Sequence, residues 1–275
     1  MTDRAGVQSC GLGMPMHIVV TVKQVPDPNT PPKLLTIDDA ARRVLTPVGI
    51  PPVMNGYDAN AVEEAVRLKE QRGAKVTAVS VGDDGARDAL RRALSLGASS
   101  AVHVDGAGDL DSASTAELLA AAIGRLAPFD LILCGRQASD TDGGQVLFGL
   151  AELLGLPAVS PIKKIVQVDD GALVVDRVTE DGAQRIRVEL PALIGVSSEV
   201  NQPRYPAMKG VLIAKRAEIP TWRRADLGLT EDERRVEVRR LYMETREART
   251  ELIAGDSPAA IGTRLADRLR EAGLI

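Results

Sequence analysis

The sequence predicts an α/β fold: a mainly parallel twisted sheet covered by helices, with an antiparallel extension and a C-terminal arm that wraps a partner. Three observations lead there. Between residues 17 and 155, short unbroken apolar runs alternate with segments whose apolar residues recur three and four apart. That is the pattern of βαβ units with right-handed crossovers. After Pro157 the pattern becomes alternating β-branched segments split by Asp-Asp-Gly and Glu-Asp-Gly turns. From about Val200 regular periodicity is lost until a single amphipathic helix closes the chain.

In chain order, residues 1–15 carry no periodicity and no signal-peptide apolar core. They read as a disordered leader or as sequence upstream of the true start, with Met14 and Met16 as candidate starts. An α/β nucleotide-binding domain is expected over 16–220. HIVVTV (17–22) is a continuous apolar run, as in a strand covered on both faces. Residues 58–70 predict a helix with Asp58 as N-cap and Ala61, Val62, Ala65 and Val66 on one face. Glu63 and Arg67 pair along it, and Gly73 lies just past its end. KVTAVSV (75–81) is the next strand, and the helix over 84–96 stops at Gly97. SAVHVD (100–105) is a strand, and Ser114 with Glu117 forms a capping box for a helix reaching about Ala127. DLILCG (130–135) is a strand, followed by a helix from about Gly143 to Leu154.

VSPIKKIVQVDD, GALVVDRVTE and AQRIRVELPALIGV then read as hairpins, antiparallel to one another, added at one sheet edge. Residues 221–275 are read as a C-terminal arm and terminal helix. That helix starts at Ser257, has Pro258 in its first position, and spaces Ile261, Leu265 and Leu269 four apart. A compact monomer rarely keeps a long irregular stretch ahead of one amphipathic helix, so the arm points to a hetero-oligomer.

Composition narrows the chemistry. The 275 residues are 44% apolar and 26% charged but only 2% aromatic, so the core must be Val, Leu, Ile and Ala. Lys+Arg 34 against Asp+Glu 38 gives a net charge of −4, which leaves no basic excess for nucleic acid. No apolar run reaches the ~18–20 residues of a membrane span. Cys10, Cys134, His17 and His103 form no CxxC or His cluster, which argues against structural zinc. Both histidines sit in strand-like runs, which argues against a Ser–His–Asp hydrolase. The thiols read as reduced and unpaired, as in the cytoplasm. A cofactor carrier, a nucleotide binder and an interaction subunit remain.

Ligands of parallel sheets sit outside the carboxyl ends of the strands. Three loops qualify: Lys23 to Asp27, Gly82 to Gly85, and Gly135 to Gln145. The third is the most informative. Gly135 allows close backbone approach, and Gly143 and Gly144 stand where helical N–H groups and the positive dipole end favour a phosphate. Thr141 and Gln145 can donate to phosphate oxygens, while Asp140 and Asp142 are read as shaping the loop by capping backbone N–H groups. A calcium loop fails because its twelfth position is Ala151. Neither G-x-x-x-x-G-K-[ST] nor G-x-G-x-x-G occurs. The alternative to nucleotide binding is a plain βα turn with helix-capping residues.

Several stretches together resemble the β subunit of an electron transfer flavoprotein. They are VKQVPD (22–27), AVEEAVRLKE (61–70), AVSVGD (78–83), ALSLGA (93–98), GRQASDTDGGQ (135–145), EVNQPRYPAMKGVLIAKRAEI (199–219) and the terminal LREAGLI. The resemblance runs from Met16 to Ile275. It implies an electron carrier without catalytic side chains of its own, paired with a flavin-binding α subunit that holds FAD. It implies electrons received from an acyl-CoA or other dehydrogenase, as in fatty acid β-oxidation, and passed to a quinone reductase or other acceptor oxidoreductase. The β chain would bury AMP, or a second FAD in members that bifurcate electrons. Carried over, the nucleotide would touch Thr21, Lys23, Asn55, Gly56, Tyr57, Asp58 and Val81. Its phosphate would lie against the loop of Gly135, Gln137, Asp140, Thr141, Asp142, Gly143, Gly144, Gln145 and Val146.

This loop shares Gln145-Val146 with the bifurcating branch but has Gly143 where that branch has Thr. The segment Val200, Asn201, Pro203, Arg204 and Tyr205 would anchor the dehydrogenase, with Val200 as an aliphatic tip; the alternative is a plain turn leading into a helix over 206–213, with Tyr205 packed on the sheet. The rival reading is a stand-alone adenine-nucleotide sensor or ATPase of a related fold, which leaves residues 197–275 without a purpose.

Overall fold

A computed structural model describes residues 15–106, 110–229, 235–243 and 250–275. The expected leader, with Cys10, lies outside these apart from Pro15. The strands are β1 (His17–Thr21), β2 (Gln24–Val25), β3 (Thr36–Asp38), β4 (Arg43–Leu45), β5 (Val53–Met54), β6 (Lys75–Gly82), β7 (Ser100–Asp105) and β8 (Leu131–Gly135). They continue with β9 (Ala158–Asp169), β10 (Ala172–Thr179), β11 (Gly182–Glu189), β12 (Ala192–Val196) and β13 (Thr221–Trp222). The helices are α1 (Gly56–Arg72), α2 (Ala86–Leu96), α3 (Ser112–Arg125), α4 (Val146–Leu154), α5 (Met208–Arg216) and α6 (Pro258–Glu271).

Nine strands form one sheet in the order β11-β10-β9-β12-β8-β1-β6-β7-β13. The pairings from β9/β12 through β13/β7 are parallel, and only β10 with β9 and β11 is antiparallel. The expected mainly parallel sheet with an antiparallel extension is therefore present. Helices cover both faces, which explains the unbroken apolar strands. Ile18, Val20, Leu131 and Leu133 pack under α1, α2 and α5. Val19 and Ile132 point the other way, with Phe129, Leu118 of α3 and Leu147 of α4.

Several local expectations are corrected. Asp58 is not the cap of α1. Asn55 occupies that position, and Asp58 lies one turn inside, buried. The cap of α3 is Asp111, whose carboxylate accepts from Ser114 N at 2.7 Å, so the Ser114/Glu117 box does not form. Both Asp and Ser are good caps, and their three-residue spacing hides which one starts the helix. Helix α4 begins at Val146 rather than Gly143, because Gly144 takes a left-handed φ of 61°. Strand β12 is no hairpin arm: it inserts between β9 and β8, parallel to both.

The stretch after Val200, read as holding no long strand or helical stripe, contains α5, close to the helix over 206–213 of the plain-turn reading, and the two-residue β13. Gly210 lets α5 approach α2 closely, since a Cβ there would overlap the Ser95 carbonyl oxygen. Chain contacts divide after Arg240. In the second unit α6 starts as expected, with the Ser257 hydroxyl accepting from Ala260 N at 3.2 Å and Pro258 in the first turn.

Candidate functional site

The chain leaves β1 for β6 on one side and returns to β8 on the other, so a topological switch point lies between β1 and β8. A cleft of about 850 Å³ opens there, floored by the ends of β1, β6 and β8. Of the residues predicted from sequence, Thr21, Lys23, Asp58, Val81, Gly135 and Gln137 line it. So do Asp140, Thr141, Gly143, Gly144, Gln145 and Val146. Asn55, Gly56, Tyr57 and Asp142 stand outside the lining, and three of these brace it. Asn55 ties two loops together: its N–H donates to Lys23 O at 2.9 Å and its Nδ2 to Gln137 O at 2.8 Å, while its Oδ1 accepts from Ser139 N at 3.2 Å. The Tyr57 ring lies 5.5 Å from the Arg136 guanidinium.

Asp142 holds a φ of 48° and accepts from Gln137 Nε2 at 2.8 Å. Asp140 pairs with Lys23 Nζ at 2.6 Å. The two acids shape the loop through side chains, not through the backbone N–H capping expected from sequence. The first turn of α4 has no side-chain cap, and Val146 faces the cleft. Its open N–H groups and dipole end suit an anion.

Asp58 joins the two strand ends that bound the switch point. Its Oδ2 accepts from Lys23 N at 2.8 Å and its Oδ1 from Gly135 N at 3.2 Å. Gly135 must be glycine here, because a Cβ would overlap Asp58 Oδ1 and crowd Tyr57. Burial pushes the Asp58 carboxyl up to about 7, against the pull of these two N–H groups and of Asn55. Burial likewise pushes the neighbouring Cys134 thiol up to about 12, so it is an inert floor residue rather than a nucleophile. His17 spans Pro128 O and Thr77 Oγ1, and His103 spans Thr221 Oγ1 and the Gly82 and Asp83 carbonyls. Both are buried in strands.

The sequence reading missed one wall of the cleft: Arg42, the start of α3 from Leu110 to Ala113, Arg136, and residues 235–238. The strand-end rule reaches only Arg136, just past the end of β8, and points to none of the others. Only the Asp111 capping signal lay in view, and it was assigned three residues too late.

The segment 200–205 is held against α1. Asn201 Nδ2 donates to Asn60 O and Glu64 Oε2, both at 3.0 Å, and Asn60 Nδ2 returns a bond to Asn201 O at 2.8 Å. Arg204 Nε donates to the buried Glu63 at 2.8 Å, and its guanidinium also bonds Glu70. Burial raises the Glu63 pKa, but Arg204 and Arg67 outweigh it and hold the carboxyl below its ordinary value. Val200 is half-buried against the core instead of projecting as a tip. Tyr205, which the plain-turn reading would pack on the sheet, is 92% exposed.

Among the described residues no helix is long and apolar enough to cross a membrane, and no His/Cys/Asp/Glu group could hold a metal.

Comparison with known proteins gives the family. The family described as "Electron transfer flavoprotein domain" matches residues 43–227. An electron transfer flavoprotein subunit beta of Thermoanaerobacterium thermosaccharolyticum is 40% identical over 201 residues, 72% of this chain and 75% of the relative. One of Mycobacterium tuberculosis is 35% identical over 224 residues, 79% of this chain and 82% of the relative. The caffeyl-CoA reductase-Etf complex subunit CarD of Acetobacterium woodii is 32% identical over 268 residues, 94% of this chain and all of the relative (100%).

Proposed function

The chain belongs to the electron transfer flavoprotein family, as a β subunit, and from that premise we propose that its switch-point cleft holds an adenine nucleotide. The AMP moiety common to AMP and FAD is the recognised part. The observation that carries this reading is the cleft at the β1/β8 crevice, with the uncapped start of α4, the close-approach Gly135 and the Lys23 cation around it. The left-handed Gly144 and the uncapped start of α4 leave backbone N–H groups open toward phosphate oxygens, and Thr141 and Gln145 add side-chain donors. Lys23 exchanges part of its Asp140 pairing for the phosphate charge.

AMP in this cleft is a structural ligand; a flavin there would supply redox chemistry that no side chain of this chain provides. The residues themselves bind, orient and exclude water. As a β subunit the chain pairs with a flavin-binding α subunit, and the arm after Arg240 is its wrapping element. The segment Val200, Asn201, Pro203, Arg204 and Tyr205 docks the electron-donating dehydrogenase. Its stiffness comes from Pro203 and the Arg204–Glu63 clamp, and its contact group is the exposed Tyr205 ring rather than Val200. The stand-alone sensor or ATPase reading has no support from the comparisons.

The test is nucleotide retention in Gln145→Ala and Asp142→Ala. Each removes a group that donates to or shapes the anion site, with an expected loss of about 1–3 kcal/mol. Unchanged affinity and stoichiometry in both would reduce the loop to a plain βα turn.

A further inference from the structure

We propose that residues 235–238 form a wall of the nucleotide cleft, and that Arg42 and Asp111 are the positioning residues that hold this wall against the bound adenine nucleotide. The inference rests on the reading of the cleft given above, and deepens it with residues that neither the strand-end rule nor the family resemblance selects.

Arg235, Val236, Glu237 and Val238 all line the cleft, far in sequence from the strand ends that floor it. They are pinned from two directions. On one side the Asp111 carboxylate divides its oxygens. Oδ1 caps α3 by accepting from Ser114 N at 2.7 Å, while Oδ2 accepts from Arg235 N at 2.6 Å and Val236 N at 2.9 Å. On the other side Arg42, between β3 and β4 and held at a φ of 50°, donates from Nη1 to Glu237 Oε1 at 2.7 Å and to Val238 O at 2.6 Å. Arg42 and Asp111 line the same cleft. A helix cap and a hairpin tip thus both bond to one short segment, and that segment has the cleft beside it.

The side chains of the wall fit a flat ring. Val236 and Val238 face the cleft yet are 68% and 48% exposed. They alternate with the charged Arg235 and Glu237, so the wall offers the cleft apolar and polar groups in turn. Uncovered apolar surface bordering a polar, phosphate-ready floor is what the faces of a purine or isoalloxazine ring would bury. Contacts made after the ligand has seated act on release more than on capture. The wall therefore sets how long the nucleotide stays, while the loop from Gly135 to Val146 sets whether it binds.

The experiment uses the full chain co-expressed with its α subunit. The complex is loaded with etheno-AMP and chased with excess AMP, and release is followed by fluorescence. In Asp111→Ser the hydroxyl still caps α3, since Ser is as good an N-cap as Asp, but it is too short to reach residues 235 and 236. Release should be about tenfold faster in Asp111→Ser and in Arg42→Ala, with the complex still folded by far-UV circular dichroism. Arg42→Lys should recover most of the slow release, and Val236→Ser with Val238→Ser should speed it again. Release within twofold of wild type in all of these variants, with Gln145→Ala still losing the probe, would overturn the wall and leave the cleft reading standing. A wild-type complex that takes up no etheno-AMP and, on denaturation, releases no adenine nucleotide beyond the FAD of its α subunit would overturn the cleft reading and the wall together.

Discussion

Asp58 carries the sharpest prediction at the scale of single residues. In the native state burial lifts its carboxyl from 3.8 to about 7. Below about pH 4 both the folded and unfolded chains hold the proton; between about 4 and 7 only the folded chain does. Stability therefore falls as pH rises through that window, by at most about 1.4 kcal/mol per pH unit, and levels off above it. Asp58→Asn removes the titration, so the stability gap between variant and wild type should tilt toward the variant from pH 5 to 7. Parallel denaturation profiles would contradict this.

Arg204 makes the opposite kind of contribution, because it compensates the buried Glu63 carboxylate. Arg204→Ala should cost about 2 kcal/mol, less than a fully buried pair because Arg67 remains bonded to Glu63. A change below half that value in urea denaturation would sink the clamp. Sequence alone found Asp58, Lys23 and the loop acids, since strand ends and family motifs point there. It assigned Asp58 to capping, because an Asp near a helix start looks the same whether it caps the helix or bridges two strand ends.

Among elements, strands buried on both faces were legible because continuous apolar runs of five to eight residues have few other readings. Helix α5 was legible only in the plain-turn reading. Its exposed Met208, Leu212 and Ile213 break the apolar stripe that would announce a core-facing helix. What seats it is Gly210 against the Ser95 carbonyl, a packing relation invisible in one dimension. Gly210→Ala tests this by setting two effects against each other. Helix propensity favours Ala by up to about 1 kcal/mol. Overlap with a backbone carbonyl costs about 1–3 kcal/mol, and that backbone cannot rotate away. The variant should be less stable, and a rise in melting temperature would show that α5 is free to shift. Strand β12 was misread for a related reason: pairing direction depends on which neighbour a strand meets, and alternation fixes only its faces.

At the scale of the whole molecule the chain is one subunit of an electron transfer flavoprotein. The arm after Arg240 and the exposed Leu265 of α6 offer apolar surface suited to a partner. The chain expressed alone should aggregate or unfold at lower temperature than when co-expressed with its α subunit. A monodisperse, cooperatively folding monomer of equal stability would count against the arm's role. Tyr205→Ala should slow electron acceptance from the dehydrogenase while flavin content and chemical reducibility stay normal, because the ring touches neither the cleft nor the sheet.

The central claim, an adenine nucleotide in the β1/β8 cleft, is tested most directly by denaturing the purified heterodimer and identifying what it releases. The account predicts one adenine nucleotide beyond the FAD of the α subunit: AMP if the cleft serves a structural ligand, a second FAD if it serves a redox one. That extra equivalent should be lost from Gln145→Ala. A heterodimer that releases the single α-subunit FAD and no other adenine nucleotide would contradict it.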